Sequence, residues 1–374
     1  MPAITGMLRL DETIHRMGGR GDNWHTTWAA NGRQYTAMCD GTGFADVPGH
    51  DGTFYISRVY AVNGEPPAHS FEHLPGFPVL TKGPGRDDRN RFYGLGILAI
   101  DDHLYHFLST PNHPFTYDGA RFVGSKLIHS PDLGETWLNQ DGSPLRWETW
   151  TERSRDNMVF FEEPDDAFAL VSVLQMGRDY EHNQDGYIYL YAPSGSTEGT
   201  MNQLALLRVP RDRLLDRSEY EYCTSRSGDA AIWTNRIEDR RPIHTFPSGY
   251  VNTRVHPYAW QPSVVYNAPL GLYMMASWGM AVTADGMWFG GPSYLGFWTS
   301  EHPWGPWTQV HEEQSWTPAD DPLALAYQPQ ISPKWIAEDG LSFWMAWTDF
   351  QRVGKGGPRP YYDYNIQQVT ILTT

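Results

Sequence analysis

Hydrophobic residues recur along this chain in short stretches with a period of two, and a helical period is nearly absent. Gly, Pro, Asn and Asp bound these stretches, which is the pattern of β-strands separated by turns. Many short strands spread over 374 residues are typical of a sandwich, a barrel or a propeller. The pattern therefore predicts an all-β protein.

A strand–turn–strand unit repeats along the chain, and such a repeat favours a propeller. The first copy begins at Asp22, turns at Asn31-Gly32 and ends at Asp40. Asn-Gly is a strong hairpin signal because both central residues of a type I′ turn need a positive φ. The third copy is predicted from residue 156, through a turn at residues 164–166, to residue 175. The copies begin at residues 22, 90, 156, 260 and 327, with spacings of 68, 66, 104 and 67 residues.

A period of this length fits four-stranded blades with connecting loops, so we predict a five-bladed β-propeller formed as one domain by residues 1–374. Six or seven blades are the main alternative. The long spacing predicts an insertion in the third blade, at about residues 194–256, which would be either a surface excursion or a wall of the substrate cleft. The alternating run from Tyr364 to Leu372 should supply a closing strand.

Two turn motifs support this fold. Residues 130–137 read Ser-Pro-Asp-Leu-Gly-Glu-Thr-Trp, which is the Asp-box pattern of sialidase-like propellers. Residues 303–307 read Pro-Trp-Gly-Pro-Trp, an outer turn frequent in five-bladed glycosidases. We expect Trp137 and Trp307 to lie between neighbouring sheets, so the motifs indicate the fold and not the chemistry.

The acidic charge narrows the range of partners. The chain has 28 Lys and Arg residues and 44 Asp and Glu residues, which gives a net charge of −16. Such a field repels phosphate backbones, so nucleic acid is not an expected partner. No apolar run approaches the ~20 residues of a membrane-spanning helix, so no membrane association is expected. The oligomeric state is not indicated.

Two further features concern the compartment. Cys39 and Cys223 are too few for a disulfide framework, and we expect two buried thiols. Residues 1–24 contain no apolar stretch typical of a signal peptide, so the protein is expected to be cytoplasmic, or secreted with its signal removed.

Polar and aromatic residues stand where the predicted hairpins begin and end. The start of an innermost strand and the end of the next antiparallel strand lie on one face of a propeller, so these residues should converge on one axial mouth. Asp22 and Asp40 are the candidate catalytic pair. The candidate substrate-binding residues are Asn23, Trp24, His25, Arg91, Asn112, His113, Asp156, Asn157, Trp260, Gln261, Trp278, Gln328 and Asp349.

Two carboxylates on adjacent strands can serve as an acid/base pair for glycoside hydrolysis. One of them must hold its proton near neutral pH, and burial beside Trp24 and Trp28, or repulsion from the other carboxylate, would raise its pKa. A separation of ~6.5–9.5 Å would favour inversion, and ~5–5.5 Å would favour retention. No cofactor is predicted, although a structural or axial Ca²⁺ is compatible with the fold.

The sequence also resembles a known family. The segments 21–24 and 34–41, which contain Asp22 and Asp40, and the later segments 187–191, 207–210 and 215–220 carry the resemblance. They resemble a domain family, formerly of unknown function, that includes the endo-D-arabinanases of glycoside hydrolase family 183. The resemblance implies a glycan substrate. It also implies that the two early Asp residues of the hydrolases correspond to Asp22 and Asp40.

Three functions are therefore considered. The first is a glycoside hydrolase that uses Asp22 and Asp40. The second is a polysaccharide or oligosaccharide lyase of the rhamnosyl-glucuronate type, which needs a His or Tyr base and a cation, and for which His25, His113 and Arg91 are available. The third is a sugar-binding propeller without catalysis, with stacking platforms formed by Trp24, Trp260 and Trp278.

Overall fold

The computed structural model describes residues 3–81, 91–113, 120–194, 202–246, 260–281, 289–351 and 360–374. These residues form 25 β-strands and eight short 3-10 helices, and none of them forms an α-helix. Within these ranges, no helix is long and apolar enough to cross a membrane. The prediction of an all-β protein is confirmed.

Two strands precede the first blade, and both pair with the last strand of the chain. The strands are β1 (Ile4–Arg9), β2 (His15–Asp22), β3 (Thr26–Trp28), β4 (Gln34–Gly43), β5 (Tyr55–Asn63), β6 (Ser70–His73) and β7 (Leu80–Thr81). Strands β3, β4, β5 and β6 pair in this order, and β7 pairs with β5. The hairpin between β3 and β4 turns at Asn31-Gly32, as the sequence predicts.

The second and third blades are separate sheets. The second contains β8 (Tyr93–Ile100), β9 (His103–Pro111), β10 (Phe122–Ser130), β11 (Leu138–Asn139) and β12 (Phe160–Phe161). The third contains β13 (Ser172–Val173), β14 (Tyr187–Pro193), β15 (Gln203–Pro210), β16 (Glu221–Ser227), β17 (Ala230–Thr234) and β18 (His244–Thr245). The described part of the predicted insertion, residues 202–246, thus supplies β15 to β18 of the third sheet.

The strands of the fourth and fifth blades begin near the predicted starts, residues 260 and 327. The strands are β19 (Ser263–Asn267), β20 (Leu272–Gly279), β21 (Ser293–Ser300), β22 (Thr308–Trp316), β23 (Ala326–Ile336), β24 (Ser342–Phe350) and β25 (Tyr361–Thr373). The 3-10 helices are Asp11–Thr13, Trp150–Glu152, Pro164–Asp166, Arg178–Tyr180, Arg211–Arg213, Arg217–Glu219, Ile237–Asp239 and Pro318–Asp320.

The innermost strands form a closed ring. Strand β3 contacts β8, β8 contacts β13, β13 contacts β19, β19 contacts β23, and β23 contacts β3. A small cavity of about 10 Å³ is lined by residues of all five blades, including His25, Ile97, Ser172, Ser263 and Gln330. The fold is therefore a β-propeller, and the ring fits five blades around one axis.

The N-terminal strands close the ring. Strand β25, which is the predicted closing strand, pairs with β24, with β1 and with β2. Strand β2 also pairs with β4 of the first blade, so one sheet of ten strands joins the first and last blades. This connection brings the end of β2 beside β4 at the rim of the propeller.

Both turn motifs place a tryptophan between neighbouring sheets, as predicted. In the Asp-box turn, Asp132 accepts hydrogen bonds from the backbone N–H of Thr136 at 2.8 Å and from its hydroxyl at 2.7 Å. The buried Trp137 packs edge-on against Phe77 of the first blade, with ring centroids 5.1 Å apart. Trp307 of the fourth blade packs in the same way against Tyr191 of the third blade, at 6.5 Å.

The structure differs from two of the predicted innermost strands. Asp22 is the last residue of β2 and not the first residue of the innermost strand, because the left-handed backbone of Asn23 interrupts the extended chain. Asp156 lies in a turn, and the innermost strand of the third blade is β13. The predicted start at Asn90 lies outside the described residues.

The third predicted hairpin fails for a physical reason. Glu162, Asp165, Asp166 and Phe168 all have left-handed backbone, with φ between 47° and 58°, so the chain coils tightly where an extended strand was expected. The apolar residues of this segment are buried in the core shared by the second and third blades. Hydrophobic residues without strand pairing thus imitate the pattern of a hairpin.

Candidate active site

Asp22 and Asp40 lie on paired strands. Asp22 ends β2 opposite Cys39 of β4, and Asp40 is the next residue of β4. The approach of the strands requires glycine at position 41, because a Cβ there would lie 1.9 Å from the carbonyl oxygen of Arg20. Asp22 and Asp40 thus lie at the same end of β2 and β4, close enough for the charge of Asp40 to act on Asp22.

The carboxylate of Asp22 is held on both oxygens. The hydroxyl of Tyr327 donates to Oδ2 at 2.8 Å, and the side-chain amide of Asn23 donates to Oδ1 at 2.9 Å. Tyr327 is buried and comes from the fifth blade, so the bond crosses the junction of the two blades. The position of Asp22 is thereby fixed from two directions.

Burial raises the pKa of Asp22 well above its usual value, and the negative charge of Asp40 raises it further. The hydrogen bond from Tyr327 acts in the opposite direction because it favours the ionised form. Burial and repulsion from the other carboxylate were the two causes expected from the sequence. Asp22 is therefore the member of the pair that is suited to hold a proton.

The buried thiol of Cys39 lies beside this pair. It donates to the carbonyl oxygen of Gly94 at 3.0 Å, and burial together with Asp22 and Asp40 raises its pKa. Cys39 and Cys223 are both buried and free of disulfide bonds, as expected from the sequence. Cys39 therefore stays a neutral packing residue.

A cleft of about 420 Å³ opens beside Asp40. Its described lining residues are Arg20, Asp40, Gly41, Thr42, Phe54, Arg91, Tyr361 and Tyr362. Phe54 is 39% exposed, and both tyrosines are half-buried, so they give the cleft an aromatic surface. A concave site with an aromatic wall and a few polar groups is what a small ligand or a sugar needs.

Four of the predicted site residues have left-handed backbone. The φ angles are 62° at Asn23, 48° at Asp40, 42° at Gln261 and 55° at Gln328. Such conformations cost of order 1–3 kcal/mol for residues other than glycine and occur often at functional sites. Asn23 and Gln261 lie just before innermost strands, Gln328 lies near the start of β23, and Asp40 lies in β4.

The prediction of a tryptophan stacking surface is wrong. Trp24, Trp260 and Trp278 are 0%, 6% and 2% exposed, so all three belong to the core. Trp24 donates its indole N–H to the hydroxyl of Thr348 at 3.0 Å, and Trp278 packs against Tyr327. These large side chains fill the space between blades, which leaves the aromatic contact surface to other residues.

His25, Gln261 and Gln328 form a buried chain of polar side chains near the axis. Gln328 donates to Gln261 at 3.3 Å, and Gln261 has a side-chain hydrogen bond with His25. Burial lowers the pKa of His25 to about 4, so its ring is neutral at neutral pH. The three residues join the first, fourth and fifth blades, and the structure places them below the surface of the mouth.

Asp349 is also buried rather than open to a ligand. It accepts hydrogen bonds from Arg16 at 3.0 Å, from Gln351 at 3.0 Å and from the backbone N–H of Leu325 at 3.1 Å. Its carboxylate is thus used to join strands of the fifth blade and β2. The prediction that Asp349 contacts substrate is corrected to a structural role.

The second blade places Arg91 at the cleft. Arg91 donates to the hydroxyl of Tyr93 at 2.5 Å, and its backbone carbonyl accepts from Thr110 at 2.9 Å. Asn112 and His113 are half-buried and follow the end of β9. Asn112 accepts from the backbone N–H of Arg121 at 3.1 Å, so part of its role is to hold the adjacent strand.

Asp156 and Asn157 lie in a different place. They line a second cleft of about 270 Å³, together with Lys126 of β10 and Arg217. The amide of Asn157 donates to the carbonyl oxygen of Glu152 at 2.8 Å, which stabilises the turn. The predicted contribution of both residues to the axial mouth is therefore wrong, for the same reason as the third hairpin.

Sequence reasoning missed several residues of the cleft. Tyr327 was noticed as a strand start, but its hydrogen bond to Asp22 depends on a contact between the first and last blades. Arg20 precedes Asp22 by two residues, and the adjacent pair Tyr361-Tyr362 begins the closing strand. The proximity of these segments to Asp22 in the closed ring is the signal that could have found them.

Among the residues with described positions, no group of three or more His, Cys, Asp and Glu side chains is arranged to hold a metal ion. The expectation that no cofactor is used stays a prediction.

No family model and no curated protein matches the sequence. A Bacteroides ovatus protein named only as a hydrolase aligns over 95% of this chain and 87% of its own, with 15% identity and a TM-score of 0.51. The catalytic domain of a Coprinopsis cinerea family 62 α-L-arabinofuranosidase aligns over 99% of this chain and 98% of its own, with 9% identity and a TM-score of 0.49. A thermostable family 43 glycoside hydrolase aligns over 95% and 93%, with 13% identity and a TM-score of 0.47. The likeness to the first structure concerns the fold alone.

Proposed function

We propose that the protein is a glycoside hydrolase with Asp22 and Asp40 as its catalytic pair. The observation that carries the proposal is the position of these two carboxylates on adjacent strands, with Asp22 opposite the residue before Asp40 and its pKa raised by burial and by Asp40. A protonated and an ionised carboxyl group in one site are what glycoside hydrolysis requires.

The roles follow from the surroundings of each residue. Asp22 donates its proton to the glycosidic oxygen as the bond between that oxygen and the anomeric carbon breaks. Asp40 lines the cleft together with Arg20 and Arg91. In the same step Asp40 either removes a proton from the water that attacks the anomeric carbon, or attacks that carbon itself to form a glycosyl ester, depending on the separation of the two carboxyl groups. In the second case, Asp22 removes a proton from a water molecule that hydrolyses the ester and frees Asp40.

The resemblance to the glycoside hydrolase family 183 endo-D-arabinanases points to the same two residues. It makes D-arabinan the first polymer to test.

The two other functions have less support. A lyase needs a side-chain base. Burial lowers the pKa of His25 to about 4 and raises the pKa of Tyr93 and Tyr327 well above the usual value, which leaves the half-buried His113 as the base for that reaction. A sugar-binding propeller without catalysis was expected to use Trp24 and its two companions, which are buried. Neither alternative explains the raised pKa of Asp22.

A panel of neutral and uronate-containing glycans, D-arabinan included, tests the proposal. We expect new reducing ends without a rise in absorbance near 235 nm, because hydrolysis adds water and forms no unsaturated sugar. A rise near 235 nm would replace the hydrolase with a lyase, and binding without any cleavage would favour the sugar-binding protein.

A further inference from the structure

We propose that the cleft beside Asp40 binds a glycan that carries a sugar carboxylate, with Arg20 and Arg91 as the residues that recognise the acid group. This inference names a substrate class and rests on the proposed function for the location of the substrate. It does not depend on which glycosidic bond is cleaved.

Arg20 is an exposed cation on the wall of the cleft. It lies in β2, two residues before Asp22, so its backbone is fixed by pairing on both sides. Its side chain makes no hydrogen bond or ion pair with any described residue, and its influence on Asp363 is purely electrostatic. Arg9, in the neighbouring strand β1, instead forms an ion pair with Glu313 at 2.6 Å.

Arg91 approaches the same cleft from the second blade. The hydroxyl of Tyr93 holds one guanidinium nitrogen at 2.5 Å, and Thr110 holds the backbone carbonyl of Arg91. Thr110 in turn contacts the buried Arg153, which stacks on Phe92 with its guanidinium carbon 4.3 Å from the ring centroid. These contacts fix the position of Arg91 at the wall of the cleft.

The charge of the cleft contrasts with the charge of the protein. The chain carries a net charge of −16, whereas the described lining of the cleft contains two arginines and one carboxylate, Asp40. A local concentration of cations in a concave site attracts an anionic ligand. The planar guanidinium matches a carboxylate with two parallel hydrogen bonds, which an alcohol cannot reproduce.

The remaining wall suits a sugar ring rather than a simple anion. Phe54, Tyr361 and Tyr362 present aromatic surface, and Gly41 adds no side chain to the lining. Aromatic faces contact the C–H groups of sugars while the arginines contact the acid group. The combination therefore favours an acidic sugar over inorganic phosphate or a neutral sugar.

Binding can be tested separately from cleavage with the Asp22→Asn variant, because an amide has nearly the shape of the carboxyl group but cannot transfer the proton. Calorimetry would compare oligosaccharides containing glucuronate, galacturonate or mannuronate with the same oligosaccharides after reduction of each carboxylate to an alcohol. We expect at least tenfold tighter binding of one acidic oligosaccharide than of its reduced form. Added salt should weaken the acidic binding and leave the neutral binding unchanged.

Arg20→Gln and Arg91→Gln, each combined with Asp22→Asn, should each weaken binding of the acidic oligosaccharide at least tenfold. Neither change should alter binding of the reduced form. Arg236→Gln is the matched control because Arg236 is exposed on the third blade and pairs with Glu238. A sulfated neutral oligosaccharide distinguishes the carboxylate from other anions.

Four results would overturn the inference. These are equal binding of acidic and reduced forms, no binding by any member of the panel, tighter binding of the sulfated form, and a preference for acid that survives loss of both arginines. Hydrolysis of a neutral glycan with no preference for acid would remove this inference and leave the proposed function intact. Arginine-dependent binding of an acidic glycan that the wild-type protein does not hydrolyse would do the reverse.

Discussion

The hydroxyl of Tyr327 tunes the acid of the proposed mechanism, and Tyr327→Phe removes it with little change in shape. The hydroxyl donates to Oδ2 of Asp22 at 2.8 Å and stabilises the ionised form of that carboxyl group. Without this bond, the pKa of Asp22 should rise further. Because the general acid must be protonated, the alkaline limb of the kcat/KM profile should move to higher pH.

The size of the shift follows from the strength of the bond. A hydrogen bond to a charged group contributes about 1.5–3 kcal/mol, and one pKa unit corresponds to about 1.4 kcal/mol. The alkaline limb should therefore move upward by about 1–2 pH units. The assay is initial rate against pH at low substrate concentration for the wild type and the variant.

Tyr191→Phe is the matched control, because its buried hydroxyl donates to the carbonyl oxygen of Pro303 at 2.7 Å, away from Asp22. It should lower stability by a similar amount and leave the pH profile in place. An unchanged or lowered alkaline limb in Tyr327→Phe, with near-normal rates at the optimum, would refute the assignment of Asp22 as the acid.

Three other predictions concern stability. The pKa of Asp22 is raised in the folded state, so the stability that this group contributes is present below the unfolded pKa and is lost as pH rises through the folded pKa. The Tm of Asp22→Asn should therefore rise relative to that of the wild type between pH 4 and 9. The buried ion pair of Lys126 and Glu148, at 2.9 Å, predicts a loss of about 3–5 kcal/mol in Lys126→Met by urea unfolding, with most of it recovered when Glu148→Leu is added. Burial lowers the pKa of His106 to about 3, so its contribution is present above about pH 6.5 and is lost as pH falls. His106→Gln should therefore flatten the decline of unfolding free energy from pH 7 to 4, and an equally steep decline would contradict this.

The sequence predicted those parts of the fold that depend on local chemistry. The turn of the hairpin between β3 and β4 was predicted correctly and contains Gly32 with a φ of 81°, although the first strand of the hairpin begins at Thr26 and not at Asp22. The segment after Asp156 has equally strong turn residues, but there they produce consecutive coils instead of one hairpin. Alternation alone does not distinguish these two outcomes.

Some residues of the candidate site could likewise be predicted from the sequence, and others could not. Asp22 and Asp40 were predictable because one hairpin and the strand before it bring them together. The burial of Trp24 and Gln328 was not predictable, since it depends on how closely neighbouring blades pack. The contact of Tyr327 with Asp22 depends on closure of the ring, across 305 residues of sequence.

The most direct test of the account is the activity of Asp22→Asn and Asp40→Asn on a glycan that the wild-type protein cleaves. The exposed Asp46, changed to Asn, is the matched control. We predict a loss of ~10²–10⁴ in kcat for each catalytic variant, because an amide cannot transfer the proton. Thermal unfolding should show that both variants stay folded, and the control should keep its rate. Near-normal rates in either catalytic variant would contradict the central claim.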